Sequence, residues 1–389
     1  MGDPATIGHE TLKARQPGLD LLRTAAILLV AVFHINLEHA PRFLLAVQQC
    51  GWMGVELFFV LSGYLIGSQL LRPYTRNAVP SIRLFFLRRA FRVLPAFLLV
   101  LIVYFLFPAF RERPNLPDLW RFLTFTLNFG LQAPAAFSHD WSLCVEEHFY
   151  LVLPFLLLWL MRKPNLRKAS VVAATIFFGG LVIRFMIWER YLGPIASDSS
   201  SDDVFGIRYW QLIYFPTYSR LDGLLVGVVL AGINLFRPGW WEAAMAKRGT
   251  LLIAALITLG LAVWTSWDLY SFAAVVWGFP LIALGFGLLL LAASGLRIRV
   301  PGATMGATLA YSVYLTHKQV IHLDRIYLKG FVPLDGPLGF LVYGVTILIV
   351  GAILYVFVER PFLQMRERII SSAYSRTSGS RAVANLVGS

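Results

Sequence analysis

Charge is what this 389-residue sequence has least of: Asp, Glu, Lys and Arg supply 14% of it, against about 25% in a soluble domain, while hydrophobic residues reach 58%. At a mean hydropathy of +0.67, that shortage excludes a chain that buries a single core and wets the rest of its surface. Cysteine is nearly absent too. Cys50 and Cys144 cannot build a disulfide framework, and no Cys/His cluster has zinc spacing, so no metal is expected. No repeat of 20–50 residues occurs. Lys13 and Arg15 precede an apolar stretch from Leu19 to Phe33, but no small-residue cleavage site follows, so the stretch is expected to stay as a first span. Acidic residues are outnumbered 21 to 34 by Lys and Arg, giving a net charge of +13. The basic residues sit in short loops rather than along one stripe, so no nucleic-acid partner is expected.

What is present is apolar length. Windows of about 17–25 mainly apolar residues, as a bilayer core requires, fall near 19–37, 52–71, 90–107, 145–161, 171–188, 216–236, 250–267, 273–293, 304–322 and 337–358. The sequence therefore predicts an all-α polytopic bundle of ten transmembrane helices with the lipid bilayer as its partner. With the N-terminus inside, cytoplasmic segments hold 22 Lys and Arg and outer loops hold 8, so both termini are expected in the cytoplasm. The longest outer segments are 108–144 and 189–215. Residues 1–365 read as one transmembrane domain and 366–389 as a flexible basic tail.

Charge inside a span costs about 2.5–3.5 kcal/mol on insertion scales, so each such residue demands a partner or a wet cavity. Arg23 and His34 are eleven residues apart, three turns and about 20° further, on one face and roughly 16 Å apart. Taken singly, Arg23 also reads as a side chain snorkelling to the inner headgroups, and His34 as an interfacial residue. Glu56, Glu146, Glu147, Arg184, Arg220, Asp222 and His317 fall near the outer ends of several spans, level with His34, which predicts a polar cavity in the outer half. Packing pairs between Arg220 or Arg184 and a carboxylate are the alternative. On the inner side, Arg88, Arg89 and Arg92 form an arc whose guanidinium forks suit phosphate oxygens, or anchor the span by the positive-inside rule. Pro95, a turn later, is expected to kink or start the third span.

Seven segments in order resemble the acyltransferase-3 family of integral membrane O-acyltransferases: GLDLLRTAAILLVAVFH with Arg23 and His34, GWMGVELFFVLSGYLI with Glu56, FLRRAFRVLP, WSLCVEEHFYLVLP, YSRLDGLLVGVVLA, LAYSVYLTH and VERP. The resemblance covers nearly the whole chain. Cys144 and His148 depart from it, standing where the family usually has a small residue and Gln. Some members carry a fused hydrolase-like domain; this chain ends shortly after its tenth span, and none is expected.

The resemblance implies acyl transfer, with acetyl the leading acyl group, from cytoplasmic acyl-coenzyme A to a hydroxyl of a surface-destined carbohydrate, glycolipid or small molecule, in the inner (plasma) membrane. Acyl-coenzyme A is then a substrate, and no cofactor is expected to be permanently bound. The chemistry needs a base near neutral pH and groups that favour an oxyanion. His34 is the candidate base, with Glu56, Glu146 or Glu147 to orient it and Arg220 or Arg184 as electrostatic support. Arg88, Arg89 and Arg92 would hold the donor's phosphates, with Arg23 further along its path. A transporter is the rival class, since charged residues at intermediate depth also mark exchangers. An oxidising compartment would permit a Cys50–Cys144 disulfide if the two span entrances lie close, but two small buried thiols are the plainer expectation. The acidic neighbours of Cys144 argue against a nucleophile there.

Overall fold

The computed structural model describes residues 16–35, 41–196 and 202–372, all helix and connecting turns with no strand among them. In chain order the helices are α1 (Pro17–His34), α2 (Arg42–Cys50), α3 (Met53–Leu71), α4 (Ile82–Leu106), α5 (Leu119–Leu123), α6 (Trp141–Arg162), α7 (Leu166–Ile187), α8 (Asp202–Tyr209), α9 (Asp222–Phe236), α10 (Pro238–Ala246), α11 (Arg248–Thr265), α12 (Phe279–Ser294), α13 (Ala303–Tyr327) and α14 (Pro337–Leu354). Among the described residues eight stretches are long and apolar enough to cross a membrane, or nine if α9 and α10, bent by 107°, count as one. The chain is an all-α polytopic bundle.

The ninth expected span, 304–322, is the 25-residue α13. It has the length to cross, but Tyr311, Ser312, Thr316, His317, Lys318 and Gln319 make it too polar to stand among the others. It tolerates these residues because it lies between α1 and α14, facing protein rather than lipid. α1 and α13 run in the same direction: Thr24 donates to the Ala303 carbonyl at 2.7 Å near their starts, and His34 meets His317 towards their other ends.

The middle of the bundle is α3, which is buried along most of its length, as is α12, whereas α7 and α11 are mostly half-buried or exposed. Lipid-like solvent suits the exposed Ile253, Leu256, Ile257 and Trp264 of α11. Between α3 and α9 the backbones come together because both helices present glycines. A Cβ at Gly63 would stand 2.1 Å from the Leu224 carbonyl oxygen, and one at Gly227 would stand 2.3 Å from that of Val60. Without a hydrophobic effect between helices in lipid, close packing of this kind is what holds spans together.

Two expectations change. α4 begins at Ile82, capped by Ser81 Oγ accepting from the Leu84 N–H at 3.3 Å, so Pro95 lies inside the helix instead of starting it. The last span continues helically to Ser372, so the first residues of the expected flexible tail 366–389 belong to it, and 373–389 lie outside the described residues.

Candidate functional site

α1 ends at His34, where the chain leaves the helix at Ile35, so the imidazole stands at the rim of the apolar span rather than within it. Beside it lies a cavity of about 160 Å³. Its polar lining is His34, Ser138, His139 and Lys318, and Phe33, Trp52, Trp141, Trp210, Tyr214, Phe215 and Tyr314 form an aromatic wall. Trp210 and Tyr214 are delivered by a π-helical turn, Trp210–Tyr214, just before Pro216. Such wide turns recur at functional sites because they re-aim side chains.

The hydrogen bonds around His34 assign its tautomer. His317 Nδ1 lies 2.8 Å from the Tyr314 carbonyl oxygen, which can only accept, so His317 Nδ1 carries the proton and its Nε2 is an acceptor. That Nε2 is 3.2 Å from His34 Nδ1, which is also 2.9 Å from the Val30 carbonyl oxygen. His34 Nδ1 therefore donates, and the lone pair of a neutral His34 is on Nε2. The carbonyl, His317 and His34 form a relay whose end is a basic nitrogen. None of Glu56, Glu146 and Glu147 takes the orienting role expected of them; His317 takes it instead.

The charges expected around one outer cavity separate into distinct groups. Glu56 pairs with Arg220, whose guanidinium lies 4.9 Å from the Trp141 ring, 4.4 Å from that of Tyr214 and 4.0 Å from that of Phe279. Arg184 binds both oxygens of Asp222, at 2.7 and 3.1 Å, and the Ser219 carbonyl at 2.8 Å. All four side chains are buried, two positive and two negative, behind the aromatic wall. Burying a charge without its opposite is costly, so these residues form pairs rather than lining the cavity as electrostatic stabilisers.

Glu146 and Glu147 turn inward. Glu146 accepts from Ser62 Oγ at 2.8 Å and from the Tyr150 hydroxyl at 2.7 Å; Glu147 is 3.4 Å from Arg89, which also lies 3.9 Å from the Tyr150 ring centroid. Arg92 pairs with Glu359, which accepts from Ser312 at 2.7 Å. The expected arginine trio is thus divided: Arg89 and Arg92 hold carboxylates, and Arg88 makes no hydrogen bond or ion pair with any described residue. Arg23 lies 3.9 Å from Asp20, towards the opposite end of α1 from the cavity.

His139 and Lys318 escaped the sequence reading. His139 precedes α6 in the turn Ser138–Asp140, outside every apolar window. Its carbonyl accepts from the Tyr314 hydroxyl at 2.8 Å, and that hydroxyl also meets Ser142 Oγ. Lys318, next to His317, was visible as a charge within a span, which was its signal. Both cysteines are free; Cys144 is buried with its thiol 3.8 Å from Asp140 Oδ2. Among the described residues no group of His, Cys, Asp and Glu is arranged to hold a metal ion.

The described residues form a polytopic membrane helix bundle with a hydrogen-bonded imidazole pair beside an aromatic-walled cavity. Residues 16–356 match the acyltransferase domain of the acyltransferase-3 family, and the chain belongs to that family. It is 29% identical over 267 residues to the peptidoglycan O-acetyltransferase OatA of Listeria monocytogenes, covering 62% of this chain and 38% of that protein. With the O-acetyltransferase OatA of Staphylococcus aureus it shares 27% identity over 380 residues, 89% of this chain and 57% of the other. The chain thus spans little more than half the length of these curated relatives at most. No solved structure matches it significantly.

Proposed function

We propose that this protein transfers an acyl group, acetyl foremost, from cytoplasmic acyl-coenzyme A to a hydroxyl of a cell-envelope carbohydrate at the outer half of the membrane. The observation that carries this reading is His34 at a cavity, its Nε2 without a partner among the described residues and its ring oriented through His317 by the Tyr314 carbonyl. The names of the two relatives support a hydroxyl acceptor in the envelope.

His34 Nε2 removes the acceptor's hydroxyl proton as its oxygen attacks the thioester carbonyl carbon, and the charge gained by the imidazole is met by the Val30 carbonyl and His317 on Nδ1. When the tetrahedral adduct collapses, the carbon–sulfur bond breaks and His34 returns the proton to the leaving thiolate. A polar seam supports a route for the donor's arm from the inner side. It passes Ser142 and Tyr314, then Ser62 with Glu146 and Arg89 with Glu147, and reaches Arg92 with Glu359. Arg88, the member of the trio without a carboxylate, is the residue to meet the donor's phosphates.

The test is release of free thiol from acetyl-coenzyme A by the detergent-purified full chain, together with mass spectrometry of envelope glycans from cells with and without the gene. Thiol release and loss of an acyl mass are expected, and Arg88→Gln should raise the donor KM severalfold. Accumulation or exchange of an intact solute without thiol release would make the protein a transporter instead.

A further inference from the structure

We infer that Lys318 is the oxyanion-stabilising residue of this site, held in place by Ser138 and Glu112; the inference rests on the acyl-transfer reading above. Lys318 is the only Lys or Arg among the described residues that line the cavity. It follows His317 directly on α13, so the helix that orients the base also fixes the cation. Its Nζ donates to Ser138 Oγ at 3.0 Å and lies 3.2 Å from Glu112 Oε1, with 17% of the side chain exposed.

Glu112 belongs to the segment between α4 and α6, and the Tyr104 hydroxyl at 2.8 Å and the Phe137 N–H at 3.1 Å hold it there. Its carboxylate is therefore an anchor whose position does not depend on Lys318. An ammonium has three N–H donors. Two meet Ser138 and Glu112, and the third has no acceptor among the described residues, in a cavity otherwise lined mostly by aromatic rings.

A donor fixed beforehand, in a cavity lined mostly by aromatic rings, acts on the charge that develops during reaction rather than on the neutral ground state. During acyl transfer a hydroxyl oxygen bonds to the thioester carbon, its proton goes to His34 Nε2, and the carbonyl π pair moves onto the carbonyl oxygen. That oxygen shares the 160 Å³ cavity with His34, and the spare Lys318 N–H meets it there. On collapse the pair returns, the carbon–sulfur bond breaks, and the thiolate takes the proton from His34. Arg220 and Arg184 do not serve in this way, because neither lines the cavity; they pair with Glu56 and Asp222 behind the aromatic wall.

Water attack on acetyl-coenzyme A passes through the same oxyanion, so thiol release without added acceptor reads the role of Lys318 directly. Lys318→Met should lower kcat for that release about 10²–10³-fold, with the donor KM little changed. Lys318→Arg should recover part of the loss. Because Lys318→Met alone strands Glu112, the double variant Lys318→Met/Glu112→Gln is made in parallel. It should insert and melt like the wild type and remain equally slow. A double variant that is folded and turns over within about threefold of wild type would overturn the inference, as would a loss seen in envelope acylation but not in thiol release, which would make Lys318 an acceptor-binding residue. A wild-type protein that neither releases thiol nor alters envelope glycans would refute the acyl-transfer reading itself.

Discussion

Two polar regions lie on opposite sides of Trp141 and Tyr214, and they solve the problem of buried charge differently. Behind the wall, Glu56, Arg220, Arg184 and Asp222 are sealed from solvent, and each charge faces an opposite one. In front of it, the relay of Tyr314, His317 and His34 ends on a nitrogen with no partner among the described residues, beside the cavity. Charges matched by their opposites mark the part that holds helices together; an imidazole nitrogen left open at a cavity marks the part proposed to react. Buried ionisable residues therefore cannot be ranked as functional by burial alone.

The largest effect should fall in front of the wall. His34→Ala is expected to lower turnover about 10²–10⁴-fold while insertion and detergent melting stay as in wild type, measured by thiol release and thermal unfolding. Activity within tenfold of wild type would move the base elsewhere. Behind the wall the reverse pattern is expected. Arg220→Met leaves Glu56 buried and unpaired, at a cost of about 3–5 kcal/mol that appears as a lower melting temperature, and adding Glu56→Gln should restore part of it. An Arg220→Met protein that melts normally but does not turn over would erase the distinction between the two regions.

Smaller effects sharpen it. His317→Gln keeps an acceptor for His34 Nδ1–H and His317→Phe does not, so the Phe variant should be slower than the Gln variant by roughly tenfold, the upper end of one net hydrogen bond. Equal rates would mean that His317 only fills space. Least of all should come from Cys144→Ser, whose hydroxyl can replace the thiol donor to Asp140 at no more than about 1 kcal/mol. A collapse of its turnover in a folded protein would make Cys144 the nucleophile.

The spans were legible because twenty or so apolar residues in a row admit few other structures. α13 was found too, although six polar side chains in its middle take it below the hydropathy of its neighbours. His34 and His317 were legible as polar residues at one depth, but their contact was not, since 283 residues separate them and only the packing of α1 against α13 sets the distance. Intramembrane charges could be counted but not matched. Glu146 was grouped with His34 by depth, yet its helix face turns it to Ser62 and Tyr150, a matter of rotation about α6 that depth does not reveal. His139 was missed because it lies in a turn, where the search for charges within spans does not look.

The polarity of α13 also bears on the order in which the protein is made. Lys318 and Asp324 each carry a penalty of about 2.5–3.5 kcal/mol at the centre of an isolated span, so α13 is poorly suited to enter lipid alone. α14, among the most apolar segments of the chain, follows directly and can enter with it as a hairpin. The bed that receives α13 is α1, which is made before it with α2 to α12 in between. Every nascent chain thus carries His34 through the synthesis of α2 to α12 without His317 or Lys318. The proposed reactive centre is assembled only when α13 packs against α1, so a chain that ends before α13 is expected to be inert.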